Sequence, residues 1–93
     1  GIFLFAAAQA NLTGDNFGDV SDVITNFNIG NGTAANAAAN DEILFTIEND
    51  AGTKTGLYYL KDVDGNGDIS VGDIIILLGI IDDVGLTAAD FTV

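Results

Sequence analysis

Residues 61–73, KDVDGNGDISVGD, carry oxygen-bearing side chains at short intervals around Gly65 and Gly67. These side chains belong to Asp62, Asp64, Asn66, Asp68, Ser70 and Asp73. Four of them are carboxylates, and like charges crowded into one loop repel each other unless a cation neutralises them. The spacing matches the calcium-loop pattern D-x-[DN]-x-[DN]-G, five residues, then an acid, with Asp replacing the usual Glu at the end. We therefore predict one calcium site in this loop.

The loop pattern assigns a role to each residue around the ion, because a hard cation takes about six to eight oxygen ligands. Side-chain oxygens are expected from Asp62, Asp64, Asn66 and Asp73. Asp68 is expected to offer its backbone carbonyl, and Ser70 to act directly or through water. Magnesium competes with calcium here, because the shorter Asp side chain at the last position chelates less readily. The alternative without metal is a solvated Asp/Gly turn.

A second, weaker metal site is predicted in GDNFGDVSD, where Asp15, Asp19 and Asp22 form a degenerate half-site. A plain polar turn is the competing interpretation of the same residues.

The charge balance favours a metal as partner and argues against several other functions. Fourteen acids face only Lys54 and Lys61, which gives a net charge of −12. Such a surface repels nucleic acid, because phosphate binding requires Lys and Arg. The absence of His and Cys excludes a Ser-His-Asp triad, a thiol nucleophile and the usual zinc ligands, so no enzymatic activity is expected. The apolar opening GIFLFAAAQA is too short to span a membrane.

The elements that must position the loop are predicted to be mainly strands. The pattern predicts four of them, at Ile2–Phe5, Val23–Ile29, Glu42–Glu48 and Gly56–Lys61. Residues 6–10 are interpreted as a small-residue turn or short helix, and 49–52 as the tip of a hairpin. We expect a single mainly β (α+β) domain, a small sheet or sandwich, with a β-rich part over residues 1–61.

One short helix is predicted after the calcium loop. Ser70 and Asp73 form an S-x-x-D pattern typical of a helix start, which favours a helix over residues 71–81. Three consecutive isoleucines in IIILLGII also permit a strand. The final LTAADFTV, residues 86–93, is expected to form a last short turn or helix with Thr87 as its cap.

Two resemblances to known families rest on these motifs. The segment DVDGNGDISVGDIIILLGI resembles one half of a dockerin repeat; a dockerin needs two copies and this chain has one, so cohesin binding is not implied. DVITNF at 22–27 and DEILF at 41–45 resemble the C-terminal region of RTX (repeats-in-toxin) proteins. The ending LTAADFTV is similar to their type I secretion signal, although no intact G-G-x-G-x-D repeat is present.

The RTX resemblance implies a calcium-stabilised module of a secreted protein that folds outside the cell, located extracellularly or at the cell surface. The alternative is a self-assembling subunit of an extracellular filament, surface layer or biofilm matrix. In either case the apolar N-terminal strand is expected to pair with another copy of the chain or with sequence that precedes it.

Overall fold

A computed structural model describes residues 3–30, 37–70 and 72–91 of the chain. Its elements are β1 (Phe3–Ala7), α1 (Val20–Ile29), β2 (Asp41–Glu48), β3 (Thr55–Asp62), β4 (Ile74–Ile81) and a C-terminal 3₁₀ helix (Ala88–Phe91). The strands form one four-stranded sheet in the order β1-β2-β3-β4. Strand β1 is parallel to β2, and the other neighbours are antiparallel. The predicted α+β class, mainly β, is confirmed.

The core lies between α1 and one face of the central hairpin. Alternate residues of β2, Ile43, Phe45 and Ile47, are buried because side chains of a strand point to opposite faces in turn. The ring of Phe27 on α1 lies 4.4 Å from that of Phe45, which stacks on Tyr58 of β3 at 4.8 Å. The helix therefore covers the face of the sheet that these residues share.

The β2–β3 hairpin is confirmed where the sequence predicted it. Its turn is organised by the buried side chain of Asn49, whose carbonyl oxygen accepts hydrogen bonds from the backbone N–H groups of Thr53 (2.8 Å) and Lys54 (3.0 Å). The structure extends the predicted strand Glu42–Glu48 by one residue, to Asp41. It extends the predicted strand Gly56–Lys61 by one residue at each end.

The predicted strand Val23–Ile29 is wrong, because these residues belong to helix α1. Asp19 caps the helix by accepting a hydrogen bond from the backbone N–H of Asp22 at 3.2 Å. Val23 and Phe27 are buried four residues apart, a helical spacing that places both on the core. Near-alternation in VITNFNI was therefore misleading, since the same residues also provide an apolar helix face.

The predicted helix over residues 71–81 is also wrong, and the strand alternative is correct: Ile74–Ile81 form β4. The strand pairs with β3 through Leu60↔Ile75, with a register shift between Leu57 and Tyr58. The expected S-x-x-D helix start is instead a turn, closed by a 3.1 Å hydrogen bond from the Asp73 N–H to the Ser70 carbonyl. β-branched residues beside an available strand edge favour this pairing.

The N-terminal strand finds its partner within the chain. Strand β1 includes Ala6 and Ala7, so the predicted turn over residues 6–10 begins too early, and Ile2 lies outside the described residues. Leu4 pairs with Ile43 of β2, so this strand has a partner within the chain. Pairing of β1, an edge strand, with another copy or with preceding sequence stays a prediction. The ring of Phe5 lies 5.5 Å from that of Phe91 in the C-terminal 3₁₀ helix.

The predicted C-terminal turn or helix is present as the 3₁₀ helix Ala88–Phe91. The backbone N–H of Thr87 donates to the Asp90 carboxylate at 2.7 Å, which closes this turn. Across the part of the chain that is described, the helices are all too short or too polar to cross a membrane.

Burial of Tyr58 predicts a loss of stability at high pH. Its hydroxyl donates to the Phe17 carbonyl at 2.6 Å, and desolvation raises its pKa to about 12. The neutral phenol therefore contributes stability that is complete below the unfolded pKa of about 10 and is lost as pH rises towards 12. Urea titrations over this range should show the free energy of unfolding falling by up to roughly 2–3 kcal/mol.

Separate substitutions of Tyr58 and Tyr59 show which tyrosine causes the fall in the free energy of unfolding at high pH. Tyr58→Phe should flatten most of this decline. Tyr59→Phe should keep most of it, because the hydrogen bond to Glu42 also raises the pKa of Tyr59 but this side chain is not part of the buried core. An unchanged slope in the Tyr58→Phe protein would contradict the assignment.

Candidate metal centre

The acidic loop connects two antiparallel strands rather than a strand and a helix. Asp62 is the last residue of β3, and Asp73 immediately precedes β4. The strands meet at the base of the loop, where Lys61 pairs with Ile74. The two ends of the loop are therefore held close together by the sheet, independently of any ligand.

Three of the predicted ligands come together at the base of this loop. One carboxylate oxygen from each of Asp62, Asp64 and Asp73 lies within 4.8 Å of the others. Oxygen ligands of this kind suit a hard cation such as calcium or magnesium. The cluster can hold a metal ion, which agrees with the prediction from the sequence that this loop contains a metal site.

Asp62 is the buried member of the cluster, with none of its surface exposed. Its carboxylate accepts hydrogen bonds from the backbone N–H groups of Gly67 (2.8 Å) and Gly65 (3.1 Å). Burial raises its pKa, and the adjacent Asp64 and Asp73 raise it further, while the two N–H groups act in the opposite direction. The negative charge at Asp62 is therefore poorly compensated by the protein alone.

Asp73 closes the mouth of the loop. Its carboxylate accepts from the backbone N–H of Val63 at 2.9 Å and from that of Ser70 at 2.9 Å. The Ser70 hydroxyl donates to Asp64 at 2.8 Å, and this bond is the main reason that the pKa of Asp64 is lowered. Ser70 thus lies beside the carboxylates, as predicted, but Asp73 does not gain the helix start that the sequence suggested.

Asn66 and Asp68 shape the far side of the loop. The Asn66 side-chain oxygen accepts from the backbone N–H of Asp68 at 2.9 Å, and the Asn66 N–H donates to Asp64 at 3.3 Å. The carboxylate of Asp68 is outside the group of three, consistent with a role for its carbonyl only. Ligation by Asn66 and by the Asp68 carbonyl stays a prediction.

The second predicted site is not assembled, because its three acids serve different structural contacts. Asp15 accepts from the Asn49 side chain at 3.1 Å, and Asp19 caps α1. Asp22 accepts from the Thr13 backbone N–H at 3.0 Å, from the Thr13 hydroxyl and from the Asn26 amide at 3.0 Å. Among the described residues they form no group of possible ligands, and their contacts are those of a polar turn and helix cap.

Sequence reasoning missed how the loop is attached to the rest of the protein. The side-chain amide of Asn28 on α1 donates to the Ile69 carbonyl (2.9 Å) and accepts from the Ile69 N–H (2.8 Å). Ile69 itself is buried in the core. The two residues are 41 positions apart, and no local spacing in the sequence indicates their pairing.

Gly65 marks a second attachment point. A Cβ at this position would lie 2.3 Å from the backbone nitrogen of Ala39 and 2.6 Å from the carbonyl carbon of Ala38. The loop therefore packs directly against the backbone that leads into β2, and the backbone N–H of Asn40 donates to the Asp62 carbonyl at 2.8 Å.

Comparisons of the chain with protein-family models, with curated proteins and with solved structures give no significant match. The class that the fold and site define is therefore a small α+β domain with an acidic cluster, on a loop between two strands, that can hold a metal ion.

Two glycines with similar backbone angles test how much the packing of Gly65 against Ala38 and Ala39 contributes to stability. Gly65 and Gly52 both have positive φ, +71° and +67°, but nothing lies within 4 Å of a Cβ at Gly52. Gly52→Ala should cost about 1–2 kcal/mol from backbone strain alone. Gly65→Ala should cost roughly 1–3 kcal/mol more, because the loop must move away from Ala39. Equal melting temperatures for the two variants would show that the contact contributes nothing.

Proposed function

We propose that this chain is a calcium-stabilised module of a secreted, RTX-like protein, and that it supports export and folding outside the cell. The observation that carries the proposal is the cluster of three carboxylates within 4.8 Å, one of which is fully buried. A buried carboxylate beside two others is unfavourable without a cation, and its ligand chemistry suits calcium.

Calcium at this position would couple the loop to the sheet. The ion would connect the end of β3, through Asp62, to the residue before β4, Asp73, and both would be tied to Asp64 in between. Binding to the folded state alone stabilises it by RT ln(1 + [Ca²⁺]/Kd), about 2.7 kcal/mol at roughly 100 times Kd. Binding energy would therefore act directly as folding energy.

The proposed location follows from the affinity that such a site needs. Extracellular calcium modules work with Kd values of about 10⁻⁴–10⁻³ M, too weak to fill at the low calcium level inside cells. The loop would stay open during export and close outside. The net charge of −12 supports this dependence, because the sequence offers only two lysines for internal neutralisation. One of them, Lys54, forms an exposed ion pair with Asp82 at 3.9 Å.

Two variants of the same loop test calcium binding without removing the buried residue. Asp64→Asn keeps the size and the hydrogen-bonding oxygen of an exposed side chain but removes one charge from the cluster. We expect calorimetric titration to show calcium affinity at least about tenfold weaker, because ligand charge tunes such sites. The matched control, Asp68→Asn, removes the same charge from a residue outside the cluster and should bind nearly as tightly as wild type.

Thermal melts in calcium, in magnesium and in chelator complete this experiment. Wild type should melt higher in calcium than in chelator, and Asp64→Asn should lose most of that difference. Equal calcium affinity in wild type and Asp64→Asn would contradict the assignment. A larger stabilisation by magnesium would keep the site but change the ion.

A second candidate function, a self-assembling subunit of an extracellular filament, surface layer or biofilm matrix, is favoured by β4. This edge strand contains no charged residue, and five of its side chains are 40–54% exposed: Ile74, Ile76, Leu77, Leu78 and Ile80. Among the described elements it pairs only with β3. Natural sheets usually protect such an edge with charge or proline, and an unprotected apolar edge can pair with another chain.

A lysine introduced on β4, compared with a lysine introduced on α1, tests whether β4 mediates assembly. Leu78→Lys should abolish concentration-dependent assembly, measured by size exclusion with light scattering. Ile29→Lys adds the same charge at a 70% exposed position on α1 and should assemble as wild type does. A wild-type protein that stays monomeric in calcium at every concentration would contradict the second candidate and leave the first in place.

A further inference from the structure

The loop contains an Asn-Gly pair, Asn66–Gly67, a sequence whose chemistry is separate from metal binding. In such a pair the backbone nitrogen of Gly attacks the Asn side-chain carbonyl carbon, because glycine has no side chain to hinder ring closure. The new C–N bond forms as the bond to the side-chain nitrogen breaks, and ammonia leaves with the proton lost by the backbone nitrogen. Water then opens the succinimide ring to give Asp or isoaspartate.

The folded loop opposes each requirement of this reaction. The backbone N–H of Gly67, a buried residue, donates to the carboxylate of Asp62 at 2.8 Å. Ring closure needs the proton to leave this nitrogen, and the resulting anion would face a carboxylate in a desolvated site. The Asn66 side-chain oxygen is held by the Asp68 N–H at 2.9 Å, which restricts rotation of the amide that must be attacked.

We propose that Asn66–Gly67 is a deamidation site which the folded loop protects and which reacts when the loop opens. The protection comes from hydrogen bonds inside the loop, so the proposal stands whether or not the loop holds an ion. Deamidation would leave a permanent Asp or isoaspartate at position 66 in each chain whose loop has opened for long enough to react.

The isoaspartate product would also prevent the loop from closing as before. Conversion of Asn66 to Asp adds a carboxylate beside Asp62, Asp64 and Asp73, but the calcium-loop pattern accepts Asp at this position. Isoaspartate adds a methylene group to the backbone immediately before Gly67. Gly67 adopts a φ of +82° in this turn. The added methylene group would therefore move the backbone N–H of Gly67 away from the Asp62 carboxylate. A chain that reacts to give isoaspartate would therefore lose the arrangement that protected it.

The experiment follows deamidation at Asn66 in the full chain by peptide mapping and mass spectrometry in mildly alkaline buffer. Samples are kept in chelator, in calcium chloride and in urea, and circular dichroism verifies which samples are folded. A peptide of residues 61–73, kept in the same buffers, supplies the reaction rate of an unfolded Asn66–Gly67 pair in each solvent. In urea the peptide and the full chain should react at similar rates, and this ratio corrects for solvent effects.

Relative to that reference, we expect Asn66 to react at least about tenfold more slowly in the folded protein than in urea, because reaction must wait for local opening. Asp62→Asn keeps an acceptor oxygen but removes the charge, and it should accelerate reaction at Asn66 in a folded sample. Equal normalised rates in folded protein and urea would overturn the proposal. Protection without any effect of calcium would leave it intact and count against the proposed metal site instead.

Discussion

The carboxylate of Asp62 is the constraint on which the loop and its surroundings depend. A fully buried negative charge must be hydrogen-bonded or paired, because removal from water is costly. The protein supplies two backbone N–H groups, from Gly65 and Gly67, and both glycines adopt positive φ to present them. The glycines are therefore needed for the polar contacts of Asp62 as well as for the turn itself.

The rest of the fold holds this loop from three directions. Strands β3 and β4 fix its two ends, and Asn28 on α1 pairs with both backbone groups of Ile69 as a neighbouring strand would. The third contact is the backbone at residues 38–39, against which Gly65 packs. The cluster of carboxylates is consequently held in place by contacts at both ends of the loop, at Ile69 and at Gly65.

This arrangement connects the two proposed functions physically. The same loop that gathers the carboxylates starts β4, the strand whose aliphatic side chains are half exposed. An open loop would loosen the beginning of β4 and raise the exposure of an already unprotected apolar edge. A bound cation would therefore govern how firmly this edge stays on the sheet, whether its partner is another chain or only β3.

The sequence by itself determined the parts whose signals are local. The acidic cluster of Asp62, Asp64 and Asp73 and the hairpin turn between β2 and β3 each depend on neighbouring residues, and the sequence predicted both an acidic site in this loop and the hairpin. VITNFNI and IIILLGII were assigned to the wrong element, because a run of apolar residues satisfies a helix face and a strand face alike. Only tertiary contacts decided between them: Phe27 packs on Phe45, and Ile75 pairs with Leu60. Such contacts join residues far apart in the chain, so the burial that selects one element over the other exists only once the sheet has formed.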